Sequence, residues 1–91
     1  MPRLCLLDGI VIWINTRDHF PAHFHARLGA DEVRVELDGL RVMSGRLSPA
    51  KQRLLMKCAA VHRRELVRNW ELAQRGLPHE PISSAIDGEE E

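Results

Sequence analysis

Over the first half of the chain, apolar and polar residues alternate with a period of two. Over the second half they recur with the period of a helix. From Gly9 to Thr16, Ile10, Ile12 and Ile14 alternate with Val11, Trp13 and Asn15, the pattern of a strand. Both sets are largely apolar, so this strand is expected to be central or covered on both sides. Leu4 to Leu7 is a candidate preceding strand, with Asp8-Gly9 as its turn or bulge. Thr16 to Ala22 reads as a loop punctuated by Pro21, and Phe20, preceding a proline, is expected to be extended. His23 to Leu28 reads as a further strand, with Gly29-Ala30-Asp31 as its turn. From Glu32 to Leu37, Val33, Val35 and Leu37 take one face and Glu32, Arg34 and Glu36 the other. Asp38-Gly39 is a hairpin signal, Leu40 to Met43 a short final strand, and Ser44-Gly45 is expected to break the sheet.

Ser48-Pro49 opens a helix: serine caps the free N–H groups and proline suits the first helical position. The pattern predicts one helix to about Arg75, with Gly76 as its left-handed stop. Leu55, Cys58, Ala59, His62, Leu66, Asn69, Trp70 and Ala73 fall on one stripe at 100° per residue, widened by Leu54, Val61 and Leu72. A smaller apolar set, Met56, Ala60 and Val67, lies among the arginines on the far side. With Arg63, it is a candidate partner surface. The expected fold is α+β: a three- or four-stranded antiparallel meander with one long C-terminal helix packed on one face. Residues 1–82 form the single domain, and 83–91 an acidic tail expected to be disordered.

Composition sharpens this outline. Ninety-one residues make one small domain with a modest core, and aromatic content is confined to Trp13, Trp70, Phe20 and Phe24. Oligomerisation is a common remedy for so small a core. Net charge is zero but uneven: seven basic residues between Lys51 and Arg75 face only Glu65 and Glu71, and five acidic residues follow from Glu80 to Glu91. The plain reading of that asymmetry is a solvated helix face and a solubilising tail. A basic face can also meet RNA or an acidic partner. The basic residues are spread around a single helix without a helix-turn-helix partner, which argues against sequence-specific DNA recognition. Cys5 and Cys58 make no disulfide framework, the N-terminal apolar run is too short for a signal peptide, and no apolar stretch approaches a membrane span. A cytoplasmic location with reduced thiols is expected.

The chemistry concentrates in Asp18-His19-Phe20-Pro21-Ala22-His23-Phe24-His25, where three of the five histidines fall within seven residues. Histidine is both the neutral-pH proton carrier and the commonest metal ligand. His23 and His25, two apart on a strand, project from the same side roughly 7 Å apart. That side is shared with Arg27, Glu32, Arg34 and Glu36 and is expected to be the sheet's polar, uncovered face. Three readings compete. In the first, the His-x-His pair and a third donor from His19 or Asp18 hold a divalent metal, although no other Cys or His completes the shell. In the second, Asp18, His19, His23 and His25 move protons on an anionic substrate held by Arg27 and Arg34. The third and simplest is structural: Asp18 and the imidazoles hydrogen-bond to the loop backbone and pin a proline-bearing connection. His62 reads as a core histidine and Cys58 as a small core residue. An activated Cys58–His62 nucleophile would need a carboxylate behind it and a less buried thiol.

The order Gly9-Ile10-x-Ile12, then Asp18-His19-x-Pro21-x-His23-Phe24-His25, then His62-Arg63-x-Glu65-Leu66-x-x-Asn69-Trp70-Glu71-Leu72-Ala73 closely resembles a small bacterial family, the domain of unknown function 4160, marked by a DHxPPHFH segment. The resemblance covers the chain to about Ile82, and Ala22 stands where the family pattern has a second proline. It carries no settled activity. It implies a small protein encoded beside another, in an arrangement similar to a toxin–antitoxin pair. The leading expectation is therefore an interaction protein that forms a homodimer or a complex with its neighbour. A histidine-dependent enzyme acting on RNA or another phosphate ester is the first alternative, and a metal-binding module the second. No cofactor is expected apart from the divalent metal of that last reading.

Overall fold

A computed structural model describes residues 3–82; the expected acidic tail lies outside the described residues. The fold is α+β, with five strands and two helices among those residues. The strands are β1 (Cys5–Leu7), β2 (Ile10–Trp13), β3 (His23–Leu28), β4 (Asp31–Glu36) and β5 (Arg41–Gly45), followed by α1 (Pro49–Val61) and α2 (Arg63–Gln74). The strands form one antiparallel sheet in sequence order, the topology of a meander.

Two expectations need correction. The sheet has five strands rather than three or four, because Cys5–Leu7 pairs fully with β2 across the Asp8-Gly9 turn. Both turn residues have positive φ, 50° and 86°, as a type I′ hairpin requires. At the other edge the strand does not stop at Ser44-Gly45 but runs through it. Arg34 faces Ser44 while Val35 faces Val42, so Met43 is the extra residue of a bulge. Gly45 (φ 74°) lets β5 lie tight against β4.

The second correction is the helix, which is broken at His62 (φ −105°, ψ 25°). The hydrogen-bond ladder still crosses the break, since His62 N–H reaches the Cys58 carbonyl and Leu66 N–H the His62 carbonyl, each at 3.0 Å. The His62 ring pairs with Glu65 through Nδ1 at 2.8 Å. Residue 62 thus serves as N-cap of α2, with an acid at the third helical position, where side chain and helix dipole favour a new start. The expected signals operate at both outer ends. Ser48 Oγ accepts the Lys51 N–H, with Pro49 at the first position. At the far end, Leu77 N–H reaches the Leu72 carbonyl and Gly76 N–H the Ala73 carbonyl, a Schellman stop.

The helices cover one sheet face. Phe24, Ala26, Val33, Val35 and Leu37 bury there against Leu55, Cys58, Ala59, Leu66 and Trp70. Of the far-side apolar set, Met56 packs partly against this core, while Ala60 and Val67 are exposed. Arg63 turns back, its Nε donating to the Leu37 carbonyl at 3.0 Å. Residues 77–82 lie along the body: Asn69 clamps the Glu80 backbone through both its N–H and C=O, and Ile82 N–H donates to the Leu4 carbonyl. Among the described residues, no helix is long and apolar enough to cross a membrane.

The bulged edge gives a direct test. A methyl group on Gly45 would sit 2.0 Å from the Glu32 carbonyl oxygen, against backbone that cannot yield. Gly45→Ala is expected to lower stability by more than about 2 kcal/mol in urea unfolding. A loss below about 0.5 kcal/mol would refute the β4–β5 register.

Candidate functional site

Strand alternation sends Phe24 and Ala26 into the core and His23 and His25 to the opposite face. In register, His25 lies between Trp13 on β2 and Arg34 on β4, and His23 lies opposite Glu36. The rings therefore project together, as expected. The expected openness of that face does not hold at this end. His23 is 1% exposed and His25 7%. The Trp13 indole stacks on His25 (centroids 5.1 Å, planes 12° apart), and Trp70 of α2 meets the His23 ring at 5.4 Å. The connection between β2 and β3 closes the remainder.

That connection is held against the C-terminal end of α2. Arg17 N–H donates to the Ala73 carbonyl at 3.0 Å, and Gln74 Nε2 donates to the Asp18 carbonyl at 2.8 Å. The Phe20–Pro21 peptide bond is cis, and Phe20 lies exposed with its ring edge-on to Trp70. This path places the Asp18 carboxylate at the centre of the cluster. Its Oδ2 is 3.0 Å from His23 Nε2 and 3.3 Å from His25 Nε2. Its Oδ1 takes the backbone N–H of His19 at 2.9 Å and lies 3.0 Å from His19 Nδ1.

The hydrogen-bond partners fix the His23 proton and narrow the choice for His25. The Pro21 carbonyl only accepts, so at 2.7 Å it takes the Nδ1–H of His23. In the neutral ring, Nε2 then holds a bare lone pair. That atom is fully buried and makes no hydrogen bond; Asp18 Oδ2 is near, but out of line for one. Trp13 Nε1–H only donates and lies 3.1 Å from Asn15 Oδ1, which turns the Asn15 NH2 group toward His25 Nε2 at 3.2 Å. His25 Nε2 also meets Asp18 Oδ2 at 3.3 Å in hydrogen-bond geometry, so it accepts from Asn15 in one tautomer and donates to Asp18 in the other. In the first, its Nδ1–H is directed to Glu32 Oε2 at 3.4 Å, and two imidazole lone pairs and one carboxylate oxygen converge within 4.8 Å of one another.

His19 stands outside this set. Its side chain is 75% exposed; its ring tilts against His23 at 5.9 Å, and its nitrogen meets Asp18 Oδ1 rather than Oδ2. Arg27 and Arg34 do not reach the cluster either. Arg27 lies over the Trp13 ring at 5.6 Å, and Arg34 Nε donates to Ser44 Oγ at 2.8 Å. The Cys58–His62 pair forms no activated nucleophile. Cys58 is hydrogen-bonded to Cys5 across the core, and that contact and burial push its thiol up, the reverse of activation. Asn15, Glu32 and Trp13 were missed as site residues. The signal for them was present, because the alternation that puts Trp13 and Asn15 on one face of β2 puts them beside His25 once β2 pairs with β3.

Electrostatics single out Asp18. Burial pushes its carboxyl up. The hydrogen bond that His25 Nε2–H donates at 3.3 Å, the His19 N–H and the His23 and His19 rings outweigh this and bring it from 3.8 to about 2. A carboxyl held low in the folded state stabilises the fold above its unfolded pKa, and that contribution disappears as pH falls through the folded value. The difference amounts to about 2 kcal/mol. Metal-free protein is therefore expected to lose stability between about pH 4 and about pH 2, and Asp18→Asn to flatten that part of the curve in thermal melts across pH. Equal slopes in the two proteins would refute the assignment.

Comparisons with curated proteins and with solved structures find no match for the chain. The profile of one family, described as a domain of unknown function (DUF4160), matches residues 9–71, a span that includes Asp18, His19, His23, His25 and the paired His62 and Glu65. That span exceeds half of the 91 residues, and the chain belongs to the DUF4160 family.

Proposed function

We propose that this protein binds one divalent transition-metal ion, of the zinc class, through Asp18 Oδ2, His23 Nε2 and His25 Nε2. The observation that carries the reading is the buried His23 Nε2, which makes no hydrogen bond although a carboxylate oxygen lies 3.0 Å away, out of line. A bare lone pair facing an anion is repulsive, and a cation between them turns the contact into attraction. Two of the three spacings suit an ion as they stand. Ligands about 2.0–2.1 Å from a tetrahedral ion stand about 3.3 Å apart; the two Nε2–Oδ2 separations are 3.0 and 3.3 Å, and the three atoms, within 4.8 Å of one another, would close on the ion as it binds.

The surroundings support the same reading. Metal-bound histidines donate their other N–H to a carbonyl or carboxylate, which fixes the tautomer. His23 has the Pro21 carbonyl in that role and His25 has Glu32. The third donor, Asp18, has its spare oxygen held by His19. Three protein donors leave a fourth position open, the pattern of zinc sites that act on a ligand rather than only brace a fold. Arg27 and Arg34 are turned to other partners, so the phosphate-ester reading draws no support from them. The toxin–antitoxin-like partnership rests on the family resemblance and is compatible with a metal centre.

The test uses the full chain, purified without an affinity tag, stripped with a chelator and titrated with Zn2+ or Co2+. One equivalent is expected to bind. At a hundred times its Kd the metal would stabilise the fold by about 2.7 kcal/mol. His23→Ala and His25→Ala are each expected to weaken binding at least 100-fold while circular dichroism remains that of the folded protein. Folded wild-type protein taking up less than a tenth of an equivalent would overturn the proposal.

A further inference from the structure

We infer that the metal centre takes a small oxyanion, a carboxylate or phosphate oxygen, as its external ligand, and that the Asn15 amide holds it there. The inference rests on the Asp18–His23–His25 metal reading. It starts from an amide whose orientation is set. Trp13 Nε1–H can only donate, and Asn15 Oδ1 receives it at 3.1 Å. The indole is itself fixed, buried, stacked on His25 and covered by the Arg27 guanidinium. Asn15 Nδ2 must then point into the cluster, 3.2 Å from His25 Nε2 and 3.5 Å from Asp18 Oδ2.

Those two acceptors are the atoms a metal ion would take. Once their lone pairs are engaged, the Asn15 N–H bonds need another acceptor, and the nearest is whatever the ion binds beyond the protein. An N–H donor selects an acceptor atom, which is an oxygen or an anion and never a second cation. Charge points the same way. A divalent ion with one carboxylate and two neutral imidazoles retains one positive charge, which a monoanion cancels. Access is consistent as well. Asn15 and His19 are exposed, Asp18 is half-buried, and His25 and His23 are buried behind them. The open position therefore lies on the Asn15 side, where a preset donor can act without reorganising.

The test uses the full-length protein loaded with Co2+ and titrated with acetate or inorganic phosphate, followed by visible absorption. A saturable spectral change is expected with at least one of the two. Acetate alone identifies a carboxylate ligand, phosphate alone a phosphate ligand, and both together a general oxyanion site. Asn15→Ala is expected to weaken anion binding about tenfold, the worth of one hydrogen bond to a charged group, while Co2+ affinity changes less than about threefold. Trp13→Phe, which keeps the ring and removes the N–H that fixes the amide, is expected to weaken anion binding in the same direction. If Co2+ binds and neither anion alters the spectrum, or if Asn15→Ala binds the anion as well as wild type, the inference is overturned and the metal centre stands. If Co2+ does not bind, the metal centre itself fails.

Discussion

One carboxylate organises this end of the molecule. Among the described residues, Asp18 touches all three imidazoles of the DHxPxHFH segment, and each of its oxygens has a different task. Oδ1 takes the backbone N–H of His19, whose ring Nδ1 lies 3.0 Å away. Oδ2 faces His23 and His25. The sheet cannot place that carboxylate unaided, because Asp18 lies in the connection between β2 and β3. Its position comes from α2, through the Ala73 carbonyl on Arg17 N–H and the Gln74 amide on the Asp18 carbonyl. The sheet supplies the two histidines, and the helix supplies the acid that meets them. A change at the C-terminal turn of α2 would therefore act on the cluster without touching it, by freeing the connection.

Much of this was legible in the residues. The two-residue alternation placed Phe24 inward and His23 and His25 outward together, and the structure agrees. Ser48-Pro49 and Gly76 marked the outer ends of the helical half correctly, because capping is local chemistry read from neighbouring residues. What escaped was of two kinds. The break at His62 carries neither proline nor glycine, and the continuous stripe from Leu55 to Ala73 hides it. Its signal was the His62-x-x-Glu65 spacing, which pairs ring and carboxylate as a helix start. The closure of the histidine face escaped for a deeper reason. It depends on Trp70 reaching the His23 ring from α2, 47 positions further along the chain, and such a contact has no periodicity to reveal it. Arg27 and Arg34 illustrate the same limit. Sharing a face with His25 did not bring them to its reactive edge, because Glu32 occupies the Nδ1 side and Asp18 the Nε2 side.

The cluster is an expensive way to pin a loop. A hydroxyl or an amide in place of His23 would satisfy the Pro21 carbonyl without leaving a buried nitrogen unmatched, and an unmade hydrogen bond at such a depth costs about 1–3 kcal/mol. In a domain of this size that is a substantial share of total stability, typically about 0.05–0.15 kcal/mol per residue. A purely structural role accounts for the Nδ1 bonds of both rings and for the His19 N–H on Asp18 Oδ1. It leaves unexplained why three acceptor atoms are then brought within 4.8 Å of one another. Convergent acceptors repel, and a fold keeps such an arrangement when something positive offsets the repulsion. A proton does so for His25 Nε2 and Asp18 Oδ2, which lie in hydrogen-bond geometry at 3.3 Å, but His23 Nε2 and Asp18 Oδ2 are out of line for sharing one. An ion has no such directional demand along the N–O line and can sit off that line. The misalignment that makes a poor hydrogen bond is thus the geometry that makes a good pair of ligands, and on this ground the metal reading is preferred to a structural one.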